Sequence, residues 1–153
     1  MARWTLRMIM FVGVTSLLAG AVSAQYGDYG RQQPATGGTD LKAELTTART
    51  HANNAAGSEA LRNVQSHLTH VVNCLEGKTG RNYNQAEGNP CEGQGSGIIP
   101  DLRGAQGGAA WMAVAEAAAD LALKGSKLTD MTSARNAARG AAALLGTAAD
   151  GLR

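Results

Sequence analysis

Aromatic residues make up 4% of this chain of 153 residues, and its single phenylalanine is Phe11. Cysteine is down to two residues, histidine to three and proline to three. Each shortage excludes something. With few rings, the core has to be built from Leu, Val, Met and, above all, Ala. The 14 Lys and Arg are interspersed with 12 Asp and Glu, so the chain lacks the basic stripe that nucleic acid or an anionic membrane surface requires. There is no alternating β-branched pattern, so no strand is expected. Gly-x-Ser-x-Gly, His-Glu-x-x-His, Cys-x-x-Cys and a phosphate-binding glycine loop are all missing, and a non-enzymatic protein is expected on that ground. Covalent haem is excluded for want of Cys-x-x-Cys-His.

The first residues that are informative by presence concern export. Arg3 and Arg7 precede an apolar run, Met8 to Ala19, and Val22-Ser23-Ala24 follows with small side chains. That run is too short to span a bilayer and reads as a signal peptide over residues 1–24, cleaved after Ala24. No later segment has the length and apolarity of a membrane span. The expected location is the periplasm or the exterior. In an oxidising compartment, Cys74 and Cys91 are expected to pair as a disulfide. Residues 25–38, with Gly, Gln and Pro and no apolar period, read as a disordered linker.

Residues 39–153 read as an all-α domain. Thr39 or Asp40 caps a first helix, on which Leu41, Leu45, Ala48, Ala52 and Ala55 recur at spacings of four and three, the mark of one buried face. This helix is expected to fail between Asn53 and Gly57, and Ser58 to cap a second. Leu61, Val64, Leu68, Val71, Val72 and Leu75 form the second stripe, and Gly77 ends it. A long loop runs from Lys78 to Gly97, and Ile98 to Leu102 leads into the second half. A third helix is expected from Gly108 to Lys124. A fourth carries Met131, Ala134, Ala138, Ala141, Leu145, Ala148 and Leu152. Together these predict a small four-helix up-down bundle, with the disulfide-pinned loop between the second and third helices.

All three histidines fall on the first two helices. On a wheel at about 100° per residue, Asn63, His67, His70 and Cys74 form a strip along the flank of the second apolar stripe. His67 and Cys74 lie at its edge, and His70 points further out. His51 lies at the edge of the first stripe, between Ala48 and Ala55. Two histidines at i and i+3 plus one from a neighbouring helix form a ligand pattern of helical bundles, and neutral imidazole suits copper, zinc or iron. The candidate metal ligands are therefore His51 and His67, with His70 auxiliary and Glu44, Glu59, Glu76 or water completing the shell. Non-covalent haem b, held by His51 and His67 or by one histidine with Met112 or Met131, is a lesser alternative. A thiolate site of His67, His70 and Cys74 is disfavoured by the disulfide. Alternatively, the histidines are interfacial residues without a ligand, and the pinned loop 78–99 is a contact surface for a protein partner.

The phrases Ala-Arg-Thr-His-Ala and His-Leu-Thr-His, with the leader and the Ala content, resemble small exported bacterial helical bundles that bind metals through histidine. His-Val-Val-Asn-Cys-Leu-Glu-Gly with the later Asn-Pro-Cys resembles uncharacterised secreted helical proteins. The first resemblance implies a metal carrier, buffer or sensor.

Overall fold

The computed structural model describes residues 39–152; the leader expected over 1–24 and the linker over 25–38 lie outside the described residues. Among the described residues there are five α-helices and no strands: α1 (Leu41–Gly57), α2 (Leu61–Glu76), α3 (Ile98–Gly104), α4 (Met112–Gly125) and α5 (Met131–Gly151). The all-α class agrees with the sequence, whereas the count of four helices is corrected to five.

α1 starts where a carboxylate can satisfy its exposed amides, with Asp40 Oδ1 accepting from the Ala43 N–H at 2.9 Å. Leu45, Ala48, Ala52 and Ala55 are fully buried along one face. The helix does not fail at Asn53. It continues to Gly57, because Asn53 and Asn54 point to solvent and break nothing. Ser58 therefore closes α1 instead of opening α2. Its N–H donates to Ala55 O and its Oγ to Asn54 O at 2.7 Å, which satisfies the carbonyls that a helix end leaves open. Arg135 of α5 donates its Nε–H to Ser58 O at 2.9 Å and locks the joint. α2 then begins after Ala60 with no side-chain cap.

α2 buries Val64, Leu68, Val71, Val72 and Leu75 and stops at Gly77. Gly77 has φ +68°, and a Cβ there would lie 1.8 Å from Ser96 O. Both the backbone conformation and the close approach of the returning loop require glycine. The loop itself is not structureless. It carries a 3-10 turn at Gln85–Glu87, capped by the Asn84 side chain, and is joined to α2 by the Cys74–Cys91 disulfide, with Cα atoms 5.3 Å apart.

α3 occupies the stretch expected only as a lead-in. Pro100 falls in its first turn, where a missing N–H costs nothing, and Ile98 and Leu102, four apart, share its buried side. The expected third helix is shortened at its start. Gly108–Ala110 forms a separate 3-10 turn, and α4 begins at Met112.

The four longer helices pack in a ring in which α1 touches α2 and α5, and α4 touches α2 and α5. Neighbours in the ring run antiparallel. Glu44, near the start of α1, meets Gly97 beside the end of α2, while Gln65, early in α2, donates to Leu128 O just beyond α4. Buried Ala at most contact positions, with Gly125 against Leu68 and Ala137, lets the helices approach closely. This close antiparallel pairing of α1 with α2 sets the functional geometry.

Candidate metal centre

His51 projects from the outer half of α1, and His67 and His70 from the middle of α2. The antiparallel packing brings the two levels together. His51 Nδ1 lies 3.2 Å from His67 Nδ1 and 3.2 Å from His70 Nδ1. The rings are tilted or T-shaped to one another, with interplanar angles of 56°, 88° and 68° and centroids 4.8 to 5.8 Å apart. One ligand nitrogen from each ring can be chosen such that all three lie within 4.8 Å of one another. A metal held at about 2.0–2.1 Å by tetrahedrally disposed nitrogens separates those nitrogens by about 3.3 Å. The two short Nδ1 separations are close to that edge length.

All three residues are half-buried at the α1/α2 seam. Burial pushes the His51 imidazole down to about 4, and the neighbouring His70 and His67 add to the effect. His67 is lowered for the same reasons, first by burial and then by His70. His51 and His67 are thus neutral at pH 7, the form in which a ring nitrogen offers a lone pair.

The wheel placed His70 outward, toward solvent. In the folded chain it lies as near to His51 as His67 does, so geometry does not make it auxiliary. The reason is in the loop: His70 Nε2 sits 2.7 Å from Glu87 O. A carbonyl only accepts, so Nε2 is the nitrogen that donates in this contact. Ser66 Oγ, one turn earlier on α2, donates to Glu87 Oε2 at 2.6 Å. Asn73, one turn later and fully buried, donates through Nδ2 to Asn84 O at 2.8 Å and to Gly88 O at 2.5 Å, and accepts from the Asn84 N–H at 2.8 Å. Ser66, Asn73 and Glu87 are the residues that sequence reasoning missed. Asn73 had a visible signal, being a polar residue between Val72 and Cys74 on a buried part of α2.

The carboxylates considered as further ligands serve other ends. Glu44 is buried and accepts from the Gly97 N–H at 3.0 Å. Glu76 accepts from the N–H and Nδ2 of Asn82. Neither these two nor Glu59 joins the cluster among the described residues. Cys74 is committed to Cys91, which removes the thiolate site. Met112 lines a separate depression with Leu102, Ala105 and Ala109. Among the described residues the cluster therefore offers three imidazole nitrogens and no fourth side-chain ligand, one short of the set that closes a structural zinc site. No helix among the described residues is long and apolar enough to cross a membrane. No protein-family model, curated protein or solved structure matches this chain.

Proposed function

We propose that this is an exported helical protein that binds one transition-metal ion through Nδ1 of His51, His67 and His70, as a carrier, buffer or sensor. The observation that carries the reading is the pair of 3.2 Å Nδ1 separations centred on His51. That spacing, which a shared N–H···N hydrogen bond also gives in the metal-free protein, matches the edge of a coordination polyhedron. The three imidazoles stand against one another with ring centroids 4.8 to 5.8 Å apart, which leaves little room for a macrocycle between any two of them. An ion is favoured over haem b for that reason. The all-nitrogen ligand set suits copper and zinc best, with iron behind them. Three protein ligands, with water completing the shell, would suit reversible loading.

The test is elemental analysis together with a visible spectrum on untagged protein purified from the periplasm. Stoichiometric copper, zinc or iron is the expected result. A metal-free, colourless protein that also takes up none of these ions when they are added would refute the reading.

A second reading is favoured by one observation. Gln85, Ala86 and Glu87 are exposed on a turn fixed from beneath by Asn73 and by the disulfide. Such a rigid display suits a protein partner, bound at loop 78–99. Binding of that kind would survive loss of all three histidines.

A further inference from the structure

The metal reading leaves one buried polar side chain without a role. Asn73 is 0% exposed in the middle of an apolar helix face, where an amide without partners would be costly. Its donors and its acceptor are all spent on the backbone of a loop that is 11 to 15 residues away in sequence. Those contacts bracket Glu87, with Asn84 on one side and Gly88 on the other. Glu87 O in turn receives the Nε2–H of His70. Asn73 and His70 are three residues apart on α2, so both face the same turn of the loop.

We propose that Asn73 is a positioning residue of the metal centre. By clamping Asn84 and Gly88 it presents Glu87 O to His70 Nε2, which fixes His70 as the Nε2–H tautomer and aims its Nδ1 lone pair at His51 and His67. The proposal rests on the three-histidine site described above. A ligating histidine commonly donates its other N–H to a carbonyl or carboxylate, which sets the tautomer and raises the basicity of the ligand nitrogen. Here the acceptor is a main-chain carbonyl in a loop, and a loop carbonyl has no fixed place unless something holds it. Asn73 is that holder, and Ser66 assists from the exposed side through the Glu87 carboxylate. Coupling runs in both directions: an ion on His70 Nδ1 makes Nε2–H a stronger donor and tightens the 84–88 turn against α2. The loop therefore reports occupancy of the site.

The experiment combines two readouts on the full chain. Nitrogen-15 NMR of the metal-free wild-type protein gives the tautomer of His70 directly, with no substitution. Zinc titration calorimetry on wild type, Asn73→Ala and Ser66→Ala gives affinities, with circular dichroism to establish that each variant is folded. We expect His70 as the Nε2–H tautomer in wild type and a mixture of tautomers in Asn73→Ala. Zinc affinity should fall by about 10–100-fold in Asn73→Ala, the range typical of outer-shell partners, and by less in Ser66→Ala. A purely structural role would lower stability and leave the tautomer unchanged. The proposal is overturned if wild-type His70 carries its proton on Nδ1. It is also overturned if folded Asn73→Ala keeps the wild-type tautomer, whatever its affinity, or, should that variant not fold, if Ser66→Ala leaves both tautomer and affinity unchanged. Wild-type protein that binds no zinc, copper or iron would remove the metal reading as well, and so tells the two failures apart.

Discussion

At the scale of single residues, His51 is the pivot of the site. It alone contacts both other imidazoles at 3.2 Å, and burial together with those neighbours holds it in its neutral form. His51→Ala should therefore lower metal affinity by more than the 10–100-fold typical of an outer-shell residue, as measured by competition with a chromogenic chelator. Helical spacing puts His51 and His67 at the edges of their stripes, but whether those edges meet depends on how α1 packs on α2, which a wheel does not contain. The angle of His70 on the wheel points outward, and what draws it in is Glu87 O, a backbone atom 17 positions along. A wheel contains no loops, and no side-chain pattern announces a carbonyl.

At the scale of elements, the segment from Gly77 to Gly97 ties the site to the fold. The disulfide closes a separation of 17 residues, worth about 3 kcal/mol in the chain-entropy view. Reduction should accordingly lower the melting temperature by about 10 °C, read by calorimetry with and without reductant after thiol titration. An unchanged melt would mean that the bridge constrains the unfolded chain little. Gly77 is the other anchor. At φ +68° with Ser96 O directly behind it, Gly77→Ala should cost at least about 1–3 kcal/mol in urea unfolding and loosen the loop that holds His70. Helix bounds were legible where apolar residues recur, as along α2, and were misread where capping chemistry is ambiguous. Ser58 can cap a helix start or bond back to a helix end, and the choice is made by its Oγ contact with Asn54 O and by Arg135 from α5. α3 was hidden because Gly104, Gly107 and Gly108 argue locally against helix, while its stability comes from burying Ile98 and Leu102.

At the scale of the whole molecule, a buried carboxyl and a half-buried imidazole act on stability in opposite directions. Glu44 is raised to about 8 by burial first, then by the charge of Asp101 and a hydrogen bond to it, so its carboxyl is protonated in the folded chain at neutral pH. The unfolded chain releases that proton near 4.5. Between these values the folded state binds the extra proton, and stability falls as pH rises toward 8. His51 has the opposite sign. Lowered from 6.5 to about 4, it makes the unfolded state bind the extra proton in that window, and stability there falls as pH drops. From about 6.5 to 8 the Glu44 effect stands alone among these two. The melting temperature of the metal-free protein should decline over that range, and Glu44→Gln should flatten the decline. A wild-type melt that is constant from pH 6.5 to 8 would contradict this account. The sequence offered Glu44 as a possible further metal ligand and gave no sign of its burial, which depends on Gly97 and α3 folding back over it.

The claim on which the rest depends is that the seam between α1 and α2 holds an ion. The most direct measurement is calorimetric titration of the metal-free protein with zinc and with copper, run beside a His51→Ala/His67→Ala variant confirmed as folded. The account predicts saturable uptake of a single ion per chain by the wild-type protein and its loss in the double variant. Absence of uptake by the wild-type protein, or equal affinity in the variant, would contradict it.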